Sequence, residues 1–270
     1  MNAQLQQNLE RLKREKIHIE FEQVLDFAWQ SWKKITLKAA LVFLLVAFIF
    51  LPLLAVYLPF LYGMTFEEMI SVAQSNPAFF EGLQGSADFT LKSALIGIGA
   101  NLLFAPINVG IMRMAYNYWK GQEIKINDAF YYFRMPYLGK IIAFVLLTAL
   151  ISALFSVLAL YVHSSFNILG GIISFLVSIF FFFALPLMCF GDASFIESLR
   201  ISFSIVSKKV WLVLGILIVS IVFMLAGFLA CCIGFLFSLS FIHTAQFALY
   251  KELFMQESAP EAEIADSNSI

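Results

Sequence analysis

Three times along this chain, a stretch with helical periodicity gives way to a basic collar and then to a long apolar run. The fullest case lies within Asp192–Gly227. Ile196, Leu199, Phe203 and Val206 recur at three- to four-residue spacing, while Glu197, Arg200, Ser204, Ser207 and Lys208 fall elsewhere. That spacing predicts a helix, Ser194 to Ser207, with one apolar face, and Ser194-x-x-Glu197 supplies a capping box at its start. Lys208, Lys209 and Trp211 follow, beside an apolar run that begins at Val210 with no linker. An amphipathic helix in that position reads as lying in the membrane interface. The same order recurs at His18–Lys34, where Val24, Leu25, Ala28, Trp29 and Trp32 share a face and Lys33, Lys34 and Lys38 form the collar. It recurs again at Ile126–Lys140, capped by Asn127 or Asp128, with Ile126, Phe130, Phe133 and Tyr137 on one face and Pro136 and Gly139 ending it early.

About 20 consecutive apolar residues cross the hydrocarbon core of a bilayer. The chain offers six such runs: Ala39–Tyr62, Leu91–Met112, Ile141–Val162, Ile168–Phe190, Val210–Ala230 and Ile233–Tyr250. The last is the shortest and contains His243. Pro52, Pro59 and Pro106 lie inside spans, where neighbouring groups can satisfy the freed backbone. The one long loop, Gly63–Thr90, opens with a second capping box, Thr65-x-x-Glu68, which predicts a short helix to about Gln74, broken by Asn76–Pro77. Residues 1–16 read as a charged leader, 17–255 as the membrane domain and 256–270 as an acidic, disordered tail. Aligned on their amphipathic stretches, the three units place Leu25, Phe130 and Leu199 together, with Lys34, Lys140 and Lys209 following. The expectation is an all-α, polytopic membrane helical bundle: six transmembrane helices and three cytoplasmic in-plane amphipathic helices, arranged as three hairpin repeats. Parallel repeats occur in transporters; a duplicated hairpin is equally able to be structural, and that reading is preferred.

Composition strengthens this class. Apolar residues make up 61% of the 270 residues and charged residues 13%, against about 25% charged in soluble domains. The net charge of −1 leaves no basic footprint for nucleic acid. The first apolar run follows a charged leader and is too long for a signal peptide. Sixteen of the seventeen Lys and Arg fall on one side of the expected topology; only Lys92 falls on the other, with Glu67, Glu68, Glu81 and Asp88. Cytoplasmic segments carry the Lys/Arg excess, so both termini are expected in the cytoplasm. Trp29, Trp32, Trp119 and Trp211 lie beside that boundary and Tyr57, Tyr62 and Tyr161 near the other, as an aromatic belt requires. Lys34, Lys140 and Lys209 join the tryptophans as interface anchors.

Candidate chemistry is sparse. No span centre holds Asp, Glu, Lys or Arg, groups that mark ion and proton paths in membranes. Asn101 and Asn108 are two helical turns apart on one face, with Gly97 and Pro106 nearby. They mark either a broken helix at a substrate site or a packing seam. Ser240, His243, Gln246 and Tyr250 share roughly one face of the sixth run. They line a polar path, or they hydrogen-bond to neighbouring helices as interhelical glue; the structural reading takes precedence for both groups. Thr148, Ser152 and Ser156, and Ser174 with Ser178, fit close helix approach. Cys189, Cys231 and Cys232 lack metal-site spacing. No hydrolase, zinc or nucleotide-binding signature is present. A non-enzymatic protein without cofactors is therefore expected, its partners being the lipid bilayer and a protein docking at the in-plane helices.

Asn108-Val-Gly-Ile, Lys120-Gly-Gln, Asp128-Ala-Phe with Phe133, and Glu197-Ser-Leu-Arg-Ile-Ser followed by Lys208-Lys-Val-Trp resemble segments of poorly characterised bacterial multi-pass proteins. These are similar to the membrane domain of some glycerophosphoryl diester phosphodiesterases. The resemblance spans most of residues 17–255 and implies a home in the bacterial inner membrane. It carries over no catalytic residue, because chemistry in those phosphodiesterases belongs to a separate soluble domain. The function expected is a structural or partner-binding membrane protein. The alternative is a transporter or lipid-handling permease with a polar path near Asn101, Asn108 and His243.

Overall fold

The computed structural model describes residues 3–14, 19–76, 78–79, 86–162, 165–229 and 232–255. These residues form helices α1 (Ala3–Arg14), α2 (Phe21–Tyr62), α3 (Phe66–Ser75), α4 (Ala87–Trp119), a 3-10 helix (Ile126–Phe133), α5 (Tyr137–Tyr161), α6 (Ser165–Phe180), α7 (Ala184–Phe190), α8 (Phe195–Leu229) and α9 (Cys232–Phe254). No strand occurs among the described residues. Among the described residues, five segments are long and apolar enough to cross a membrane: α2, α4, Tyr137–Ala159 in α5, Ile168–Phe190 through α6 and α7, and α8. The sixth expected span is helical, as α9, but is not among those five. Residues 256–270, expected as a disordered tail, and residues 77 and 80–85 of the long loop lie outside the described residues.

The stretch expected as a first in-plane helix is instead the beginning of α2, a single 42-residue helix, about 63 Å long at 1.5 Å per residue. The reason lies in its inner face. Val24, Ala28, Ser31, Ile35, Ala39, Val42 and Val46 are all buried and recur every three or four residues straight through the lysine collar. No proline or glycine interrupts them, so charge alone does not end the helix. In α8 the collar does coincide with a kink: Lys209 leaves helical geometry at φ −128°, ψ 31°. The third stretch folds as the 3-10 helix, and residues 137–140 already belong to α5. The three repeats expected from sequence thus begin in three different ways. The loop capping box forms as expected: the Glu68 N–H donates to Thr65 Oγ1 at 3.3 Å, and the Thr65 N–H donates to Glu68 Oε2 at 2.7 Å.

Helix α9 is the hub, packing on α2, α8, α4 and α1. Its Phe247, Ala248, Leu249 and Tyr250 are buried against Ile111, Met114 and Ala115 of α4 and Ala28 of α2, within one apolar core. Gly110 allows α4 to meet the 3-10 helix, since a Cβ there would overlap the Ala129 backbone. One end of the bundle is stitched by bonds between distant segments. Lys38 Nζ donates to Ile124 O at 2.6 Å, Lys140 Nζ to Ala193 O at 3.1 Å and Asn8 Nδ2 to Phe254 O at 2.9 Å. This is the basic end. The core is concentrated there: over residues 47–60 of α2, and over residues 87–105 of α4, no side chain is buried.

Candidate functional site

The fourth apolar segment is broken at residues 181–183, between α6 and α7. Pro186 explains the break. It has no N–H, so the carbonyl of Phe182, four residues earlier, loses its helical donor. The side-chain amide of Gln246, on α9, donates to that carbonyl instead. Ser202 of α8 closes the rest of the gap: its Oγ donates to Phe180 O at 2.8 Å and accepts from the Phe183 N–H at 3.1 Å. Unsatisfied backbone groups are costly away from water, and two neighbouring helices supply the missing partners here. Gln246, named from sequence as a candidate for a polar path, is therefore occupied with main chain.

The other candidates separate. Ser240 Oγ donates to Phe237 O at 2.9 Å. That carbonyl also accepts from Trp32 Nε1 at 3.0 Å and Thr36 Oγ1 at 3.3 Å, which ties α2 to α9. His243 is half-buried overall, yet its Nδ1 is buried without a hydrogen-bond partner. Asn108 is half-buried. Asn101 is exposed, and its amide donates to Gly97 O, one turn back in α4, at 2.9 Å.

Asn101 lines a cleft of about 460 Å³ between α4 and α5, walled also by Thr90, Ser93, Thr148, Ser152 and Ser156. Asn108, Ser240, His243 and Gln246 are not on its walls. Its hydroxyls mostly bond to their own helices: Ser93 to Phe89 O at 2.7 Å, Thr148 to Val145 O at 2.9 Å and Ser156 to Ser152 O at 3.1 Å. Among the described residues no ionisable side chain lines it. Such walls suit a chain-like apolar guest better than an ion, and they hold no group for acid–base chemistry.

The expected anchors serve unequally. Trp29 stacks on Trp32 with ring centroids 4.9 Å apart, and Trp32 meets Phe223 edge-on at 4.9 Å. This pair is partly structural. Trp211 is 83% exposed and Lys34 is exposed, as interface residues would be. Trp119 carries Lys120 Nζ 4.0 Å above its ring. Lys140 is held by Ala193 O, and Lys209 sits at the α8 kink.

A second pocket, at the basic end, gathers Arg113, Lys120, Tyr132 and Asp192 from separate elements. Sequence reasoning singled out none of these as a site: Arg113 and Lys120 counted only toward the one-sided Lys/Arg excess, and Tyr132 and Asp192 carried no role. Their convergence depends on the 3-10 helix folding back on α4, which no local pattern announces. Among the described residues no three His, Cys, Asp or Glu side chains cluster as metal ligands. No family model, curated protein or solved structure matches this chain. The class rests on the molecule itself: its described residues are all-helical, with five segments fit to cross a membrane.

Proposed function

We propose that this is a non-enzymatic, multi-pass protein of the bacterial inner membrane with a structural or partner-binding role, its basic end and both termini in the cytoplasm. The observation that supports the role is the use of Gln246 and Ser202 to close a broken helix. These two polar side chains are engaged with main chain rather than with an open path. The orientation rests on the Lys/Arg asymmetry, and the resemblance to bacterial multi-pass proteins supports the compartment. The exposed apolar residues of the α8 amphipathic stretch, Ile196 and Phe203, are where a partner would dock. A photo-crosslinker at Phe203 in cells is expected to give a discrete protein adduct; lipid adducts alone would remove the partner-binding branch. In a cysteine-free background, single cysteines at Gln74 should react with a membrane-impermeant thiol reagent in intact cells and those at Lys125 should not. The reverse pattern overturns the orientation.

The second reading, a lipid-handling permease, draws on the Asn101 cleft. It requires a route from that cleft past Asn108 towards His243. Cysteines at 101, 108 and 243 are expected to differ, with only 101 reactive. Labelling of all three by a small water-soluble reagent would replace the structural reading with the permease.

A further inference from the structure

The basic-end pocket, of about 240 Å³, has a polar lining in an otherwise apolar molecule. Arg113 enters from α4, Tyr132 from the 3-10 helix, Tyr137 from the start of α5 and Asp192 from the turn after α7. Lys120 lies just past the end of α4. The Arg113 guanidinium is fixed rather than free. Its Cζ sits 3.5 Å over the Tyr131 ring, and its Nε lies 3.9 Å from Asp128 Oδ1. That separation is too long for a hydrogen bond, and Nε is buried with no hydrogen-bond partner. A guanidinium has five N–H donors in a rigid fork suited to oxyanions. Burial raises the Tyr132 phenol above its ordinary pKa, so it stays protonated and can donate. The Lys120 ammonium rests on the Trp119 ring rather than on a carboxylate. Among the described residues Asp192 is the single carboxylate on the wall, against two cations.

We propose that this pocket binds the oxyanion of a phosphate ester, with Arg113 and Lys120 as its charged contacts and the Tyr132 hydroxyl as a neutral donor. The geometry favours a phosphoryl group over a carboxylate because donors converge from α4 and the 3-10 helix, which suits several oxygens better than two. Phosphate esters reach such a place from two sources: a lipid headgroup at the membrane surface, or a small soluble ester. The inference is independent of the structural or partner-binding role.

The test uses the full chain in dodecyl maltoside micelles, which hold no phosphate, with and without phosphatidylglycerol, and separately with glycerol 3-phosphate in the buffer. Lipid retention is read by native mass spectrometry and soluble binding by thermal shift. Arg113→Gln should weaken retention or binding by about tenfold or more, the loss expected for one charge-assisted contact. Lys120→Gln, at an exposed position, should weaken it several-fold, and Lys208→Gln, a basic-end control off the pocket, should leave it unchanged. A difference with phosphatidylglycerol alone identifies the headgroup; a shift with glycerol 3-phosphate alone identifies the soluble ester. Should Arg113→Gln fail to fold, Lys120→Gln and Tyr132→Phe carry the decision. Equal losses in Lys120→Gln and Lys208→Gln, or no binding of either probe, overturn the proposal.

Discussion

The two halves of α4 have opposite surroundings, and the packed half is not the more apolar one. Over residues 106–117 the helix buries nine residues; over residues 87–105 it buries none. Helix α2 divides in the same way, with Ile35, Ala39 and Val42 at 0% exposure and Phe48, Leu51 and Val56 at 63–75%. Apolar sequence is therefore no guide to which half is packed on protein and which faces lipid. What differs is the neighbours. The basic end brings together α1, α2, α4, the 3-10 helix and α9 around small residues, whereas the far end keeps an open cleft between α4 and α5. The lesson is that this molecule has a protein-like core at one end only.

The sharpest way to break that contrast is a matched pair of glycine changes on α4. Gly110→Val, pressed against the Ala129 backbone, should cost about 3 kcal/mol or more through overpacking. Gly99→Ala, with nothing within 4 Å of its Cβ, should be neutral or stabilising by up to ~1 kcal/mol. Thermal unfolding in one detergent checks both; similar losses would abolish the distinction. Next in size, Ile35→Ala should cost about 2–5 kcal/mol as a core truncation, and Phe48→Ala less than ~0.5 kcal/mol as a surface change.

A smaller effect separates the two polar residues once grouped together. Gln246→Leu leaves the Phe182 carbonyl without its partner and should cost about 1–3 kcal/mol. Asn101→Leu should fall within ~0.5 kcal/mol, because its bond is to its own helix in an exposed wall. The mechanism has its own check: Pro186→Ala restores a backbone N–H, so Gln246→Leu should cost less in that background, a coupling that a double-mutant cycle reads directly. Additive losses would refute the proline account.

The smallest effect lies in the loop beyond the packed region. Bonds from the Thr65 backbone and hydroxyl hold the Glu68 carboxyl below the ordinary carboxylate range. A depressed folded value means the box contributes above the unfolded carboxylate pKa and is lost as pH falls through the folded one. Hydrogen exchange in α3 should accelerate below that range, and Glu68→Gln should flatten the dependence while leaving the basic end unmoved.

Much of this was legible in the sequence. Residue counts and charge placement mark the apolar segments, and Thr65-x-x-Glu68 predicts α3 to within a residue. The lysine collars were legible as chemistry but not as breaks, since helix continuity in α2 is set by a buried stripe that passes beneath them. The candidate polar face of α9 was visible as a periodicity, but its partner was not: Pro186 and Gln246 are far apart in sequence, and only folding pairs them. Arg113 and Tyr132 were invisible as a site for the same reason.

That pairing bears on how the protein is made. A chain grows from its N-terminus, so Phe182 is synthesised 64 residues before Gln246. Until α9 arrives, the fourth segment carries a carbonyl that no part of the nascent chain yet completed can satisfy in the way the finished protein does. Such a group costs several kcal/mol in hydrocarbon. The last helix is thus the latch on an earlier one, and a ribosome stalled before Gln246 would leave a bundle whose fourth segment has not finished settling into the bilayer.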